Sequence, residues 1–300
     1  MFKKAIIGVL AMGFIAVSCN NDDDAGAPVS NLTLNLSGLE DLGNGYLYEG
    51  WVIVDNAPVS TGTFSVNDSG ELSQTTFSID AATLNSATAF VLSIEPDPDP
   101  SSDPAPTKLL RAEFGTGNTA TVGLGPVGDG DFNASAGSFF LRAPTDEAPG
   151  SPNNGNDENG VWFGIPGMPP SPSLTLPTLN PGWKYEGWVI GDSGPLSTGT
   201  FTAVNDFDDN VGDADGFSGT ASNGPQIPGE DFLRNAPTGE TFPLDIRNRM
   251  VVISVEPDPD NSPAPFLLKP LVGTAGTDTA PASYTFGLNA ASFPSGTVSR

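Results

Sequence analysis

The stretch YEGWVIVDNAPVSTGTF, from Tyr48 to Phe64, returns as YEGWVIGDSGPLSTGTF from Tyr185 to Phe201. The two agree without a gap except at Val54/Gly191, Asn56/Ser193, Ala57/Gly194 and Val59/Leu196, so the chain is a tandem duplication. Strand alternation puts Glu49, Trp51 and Ile53 on one face and Tyr48, Gly50 and Val52 on the other. Asp55 to Pro58 and Asp192 to Pro195 carry turn residues, and STGTF resumes a strand. Each copy is therefore expected to hold a β-hairpin with Trp51 or Trp188 as its largest core contribution. Glu49 and Glu186 share the tryptophan face. They sit either at the sheet rim or on a structural hydrogen bond, or else they are buried carboxylates with a role, because unpaired burial is costly.

Working outward, VLSIEPDPDPSSDPAP (Val91 to Pro106) is matched by VISVEPDPDNSPAP (Val252 to Pro265). The apolar half of each is a well-buried strand, and the repeated prolines turn the rest into a rigid acidic loop. Leu32, Leu34 and Leu36 alternate with polar residues in a half-buried strand ahead of the first hairpin. Further strands are expected at Phe77 and Ile79, Lys108 to Phe114, Ala120 to Gly125, Gly137 to Arg142 and Val161 to Ile165. Ala81 to Ala87 forms a helical turn or only a connection.

The fold class read from this pattern is all-β: two tandem Ig-like β-sandwich domains. The first is expected over 31–166 and the second over 174–300, with the Pro-rich spacer 167–173 between them. Tyr48 to Glu95 spans 47 positions and Tyr185 to Glu256 spans 71, which leaves 24 extra residues in a Gly- and Asp-rich insert near 205–240.

At the N-terminal end, Lys3 and Lys4 precede an apolar run from Ala5 to Val17, a secretory signal over 1–18 that is too short to remain as a spanning helix. It resembles a bacterial lipoprotein signal, which implies lipidation at Cys19, the single cysteine, and excludes disulfides within the chain. Residues 19–30 read as a solvated acidic tether, and Asp22 to Asp24 resemble the export signal of Bacteroidetes-type surface lipoproteins. The expected location is the outer membrane, lipid-anchored and exposed at the cell surface. A net charge of −25, deepened by two when the signal lysines leave, repels nucleic acid.

The W-V-I, D-x-x-P and G-T-F pattern, followed by S-I-E-P or S-V-E-P and a loop with P-A-P, resembles the C-terminal extracytoplasmic domain of RskA-like anti-sigma-K factors. The likeness covers both copies. It implies a small β-sandwich outside the membrane, and it carries only that outer module. The chain has no His, and no zinc-binding anti-sigma region or spanning helix joins its two parts.

Without His, and with its cysteine committed to the anchor, the chain offers neither Ser-His-Asp nor Cys-His catalysis nor the usual zinc sites. Carboxylates remain, with Glu49, Glu95, Glu186 and Glu256 as repeated candidates for glycoside hydrolysis. Recurrence in both copies favours a shared structural position instead. No cofactor is fixed by the sequence, and the acidic insert reads either as a solvated loop or as a calcium site. Asp206, Asp208, Asn210, Asp213 and Asp215 offer hard oxygen ligands in a Gly-containing loop. Val211 stands where an EF-hand needs Gly, and the closing Glu is missing. Asp97 with Asp99 and Asp258 with Asp260 are weaker pairs of the same kind.

The leading expectation is a non-enzymatic, lipid-anchored envelope protein that binds or displays, with a protein or glycan ligand. The alternative is a sensing or regulatory component of an anti-sigma type pathway that acts through a protein partner. A carboxylate-dependent hydrolase is third.

Overall fold

A computed structural model describes residues 27–260 and 262–300. The signal over 1–18, Cys19 and most of the tether lie outside the described residues. Among the described residues no helix is long and apolar enough to cross a membrane.

The chain begins with β1 (Val29–Ser37), the hairpin β2 (Tyr46–Val54) and β3 (Ala57–Phe64), then β4 (Thr76–Asp80). Helix α1 (Ala81–Ser86) follows, capped where the Asp80 carboxylate accepts the Thr83 N–H. Next come β5 (Ala89–Pro96), β6 (Lys108–Glu113), β7 (Thr119–Thr121) and β8 (Gly128–Asp129). The middle of the chain holds β9 (Ser138–Leu141), β10 (Gly160–Trp162), β11 (Gly164–Ile165), β12 (Ser171–Pro172) and β13 (Thr178–Leu179). The second hairpin is β14 (Trp183–Ile190) and β15 (Pro195–Phe201), followed by β16 (Gly229–Asp231) and β17 (Met250–Pro257). The chain closes with β18 (Leu271–Thr274), β19 (Tyr284–Thr285), β20 (Gly287–Leu288) and β21 (Ser295–Ser299). The architecture is all-β, with α1 and three short 3₁₀ turns as its only helical segments among the described residues.

Two sheets make the first sandwich, β3-β2-β5-β6 and β4-β1-β21-β7. Leu32, Leu34 and Leu36 from one meet Tyr48, Val52, Phe90 and Leu92 from the other in a shared core. The second sandwich pairs β15-β14-β17-β18-β20 with β16-β10-β9-β19. Its core is aromatic, with Phe163 between Phe201 and Phe286 at 6.4 and 6.1 Å.

The sheets do not follow the sequential division expected at 167–173. β21 lies between β1 and β7, with Leu34 opposite Val298 and Val298 opposite Ala120. In return β9 and β10, expected in the first domain, pair with β19 and β16 of the second copy. Matching the two sheets position by position, β9 is the counterpart of β21 and β10 of β1. A 3₁₀ turn precedes both exchanged strands, Phe132–Ala134 before β9 and Ala290–Ser292 before β21. Each copy thus donates its last strand to the other copy's sandwich. The hydrophobic core accordingly runs without a break through both.

The hairpins also correct the expected core face. Tyr48 and Val52 belong to the core, whereas Trp51 is buried on the opposite side of the sheet with Glu49, at 2% and 7% exposure. The cause is Gly50, where a Cβ would meet Thr61 Oγ1 at 2.5 Å and the Phe90 ring at 2.9 Å. The core face must leave this position bare for Phe90 to pack, so the tryptophan takes the other side. Gly187 does the same for Phe163. Each hairpin carries a register irregularity beside this glycine, between Gly50 and Trp51 and between Glu186 and Trp188.

Candidate functional site

The outer face of each hairpin sheet holds a polar row assembled by strand register. In the first copy Glu49 lies opposite Ser93 and Trp51 opposite Val91. The Trp51 indole N–H donates to Ser93 Oγ at 2.8 Å, and the Ser93 hydroxyl donates to Glu95. Ser60 donates its hydroxyl to Glu49, so the structural hydrogen bond considered for this residue exists. The acidic proline run turns back over this face, where the Ala105 N–H donates to Glu95 Oε1 at 2.8 Å. Burial pushes the Glu95 carboxyl upward.

The second copy repeats the arrangement. Trp188 donates to Ser254 Oγ at 2.7 Å, Ser254 donates to Glu256, and Ser197 donates to Glu186. The Phe266 N–H reaches both Glu256 oxygens, at 2.9 and 3.1 Å. Here Asp260 comes back to the row. Carboxylate oxygens of Glu186, Glu256 and Asp260 lie within 4.8 Å of one another. Burial, reinforced by the neighbouring carboxylates, raises Glu186 to about 8 and Glu256 to about 7. A cavity of about 320 Å³ opens beside them, lined also by Lys184, Thr200 and Asp258.

The insert forms a second concave site. A cavity of about 370 Å³ is lined by Trp162, Asp208, Asn210, Asp213, Glu230 and Thr145 among others. Asp208 is buried and accepts the Asn210 N–H at 3.0 Å and the Gly229 N–H at 2.8 Å. Asn210 donates its side-chain amide to Glu230 at 3.2 Å. Asp206 accepts from Gln226 and from the Phe207 N–H, and Asp213 accepts from the Asp215 N–H. Four of the five residues singled out in the sequence, Asp206, Asp208, Asn210 and Asp213, thus have side chains engaged by local partners, two of them by the backbone of another member of the set. Asp208, Asn210 and Asp213 line the cavity; Asp206 and Asp215 do not. Asp209, one position on, pairs with Lys184 at 2.8 Å. Arg234 ties the insert down through the carbonyls of Asp213, Ala214 and Ser218.

Sequence reasoning missed Glu230 and Asp231, which are buried in the short strand β16. Burial raises them to about 8 and about 7. The signal for the serines was present, since Ser93 and Ser254 stand two positions before Glu95 and Glu256 and must share their face.

The hairpin, the strand ending in Ser-x-Glu-Pro and the loop folded back onto its glutamate form one unit, β1 to β6. Residues 25–109 match the family model described as anti-sigma-K factor rskA, C-terminal. The matched stretch ends inside β6, and the second copy reproduces its hairpin, its β5 counterpart and its returning loop. No curated protein and no solved structure matches the chain. The resemblance to an RskA-type C-terminal domain seen in the sequence thus agrees with the family model over the first copy.

Proposed function

We propose that this chain is an extracytoplasmic sensing or regulatory component of the anti-sigma type, acting through a protein partner rather than by turnover. The match of residues 25–109 to the anti-sigma-K factor rskA C-terminal model carries this reading. The repeated glutamates support a non-enzymatic role. Glu49 and Glu186 are each engaged by a serine hydroxyl, and Glu95 and Glu256 each by a serine and a backbone N–H. These are roles in holding a loop on a sheet, and they recur in both copies. The chain is tethered to the outer membrane through lipid on Cys19, which leaves the paired sandwiches free to meet a partner.

Crosslinking in intact cells, followed by purification of the full chain, tests the reading. The expected result is a discrete protein partner from the envelope, together with an altered transcript profile when the gene is deleted. An unchanged profile combined with glycan turnover that disappears in Glu49→Gln or Glu186→Gln would overturn it in favour of a hydrolase.

A further inference from the structure

Three carboxylates meet at one place on the second hairpin sheet and at no equivalent place on the first, among the described residues. Glu186 comes from β14, Glu256 from the neighbouring β17, and Asp260 from the loop that follows. Oxygens no more than 4.8 Å apart can share one calcium ion, whose Ca–O distances of about 2.3–2.6 Å let ligands on opposite sides stand up to about 5 Å apart. The decisive observation is Glu186. Its side chain is 4% exposed, its Oε1 takes the Ser197 hydroxyl, and its Oε2 is buried with no hydrogen-bond partner. A buried carboxylate oxygen left without a donor is costly, and the neighbouring side chains of the cluster are two further acids.

No lysine or arginine forms an ion pair with Glu186, Glu256 or Asp260 among the described residues. Lys184 lies 2.8 Å from Asp209 of the insert and 3.9 Å from Asp258. Lys269 stands beside Glu40 as well as Glu256. The first copy is a built-in contrast. Glu49, Glu95 and Asp99 occupy the same sequence positions, but Glu49 shows no orphaned buried oxygen and the trio is not drawn together.

We propose that Glu186, Glu256 and Asp260 form a site for one divalent cation of the calcium class, which pins the acidic proline loop of the second copy to its sheet. All ligands are hard oxygens, and the adjoining cavity of about 320 Å³ gives water access to complete the coordination shell. A dissociation constant on the order of 10⁻⁴ to 10⁻³ M, as in extracellular calcium modules, is expected. This inference goes beyond the regulatory reading and does not depend on it.

The test is titration of the full chain with calcium alone by calorimetry, and with terbium by luminescence excited through tryptophan, since Trp188 lies two positions from Glu186 on the same face. The expected result is one site per chain, with affinity lowered at least about tenfold in Glu186→Gln and in Asp260→Asn. Glu49→Gln and Asp208→Asn are expected to bind as the parent does. Asp260 lies on the loop, so its variant keeps the test meaningful if Glu186→Gln folds poorly. Absence of binding at millimolar calcium would overturn the proposal and leave Glu186 and Asp260 sharing a proton. So would equal affinity in the Asp260→Asn variant, or a loss in Asp208→Asn alone, which would move the ion to the insert.

Discussion

The indole N–H of Trp188 donates to the hydroxyl of Ser254 at 2.7 Å, and Trp51 donates to Ser93 in the same way at 2.8 Å. Each tryptophan therefore does more than fill space. It fixes a serine whose own proton goes to the glutamate that holds the acidic loop. Trp51→Ala is expected to cost about 3–5 kcal/mol, the range for removing a large buried aromatic. Trp51→Phe keeps most of the buried area and loses the donor, at about 1–3 kcal/mol. Denaturant unfolding of both variants separates packing from the hydrogen-bond relay, and a Trp51→Phe variant as stable as the parent would show that the relay contributes nothing.

Val298 is fully buried in β21, between Leu34 of β1 and Ala120 of β7. Val298→Asp places a carboxylate in the first sandwich although it lies in the second copy of the sequence. It is expected to cost several kcal/mol, or about 5–10 °C in Tm. Hydrogen exchange is the informative readout: protection should fall first in β1 and β7. Loss confined to β14, β17 and β18 would show that the strand exchange is not formed.

Calorimetry of the parent chain should show a single transition. The two sandwiches share a continuous core and trade strands, so neither has a complete sheet once the other has melted. Two well-separated peaks would contradict this.

Stability should depend on pH in a direction opposite to ordinary acid denaturation over part of the range. Burial raises Glu230 to about 8, and Asp208 and Asp231 to about 7, above the unfolded values of 4.5 and 3.8. The folded chain therefore holds protons that the unfolded chain releases. Their stabilisation is full below the unfolded values and is lost as pH rises through about 7 to 8. Asp209 and Asp245 act oppositely, since hydrogen bonds from Lys184 and Arg247 lower them, and their contribution disappears as pH falls below the usual carboxylate range. Without added metal, Tm should peak at about pH 4–5 and decline toward pH 8. Glu230→Gln should flatten that decline, and a profile that rises steadily to pH 8 would show that these groups are ionised in the folded chain.

Cys19→Ala is expected to move the protein from the membrane fraction to the soluble fraction with its melting curve unchanged. Retention in the membrane after signal cleavage would remove the lipid anchor from the proposed function.

Much of this fold was legible because the duplication supplied two readings of every landmark. The alternating leucines of β1, the hairpin from Tyr48 to Phe64 and the buried strand before Glu95 all stand where the pattern places them. The core face was misread because alternation gives two faces without saying which is inside, and both Trp51 and Tyr48 are buried. Gly50 held the missing information, in the space its absent side chain leaves for Phe90. The strand exchange was invisible for a different reason. β9 and β21 carry the same sequence character whether they return to their own copy or cross to the other, and strand pairing over such separations leaves no local mark. At the site, the glutamates were identifiable as a repeated pair. That Asp260 closes on the second pair, while Asp99 does not close on the first, depends on loop paths that composition does not encode.

The exchange of β9 and β21 also sets when the protein can fold. β1 acquires its neighbour β21 only from residues 295–299, more than 250 positions later in the chain. Every hairpin can form as it emerges, but the first sandwich stays one strand short until the second copy has been made. A chain built this way remains open, with the edges of β1 and β7 bare, for most of its synthesis. For the export proposed above, an open chain is the form that threads through a channel, and the same late strand that completes the structure would close off passage.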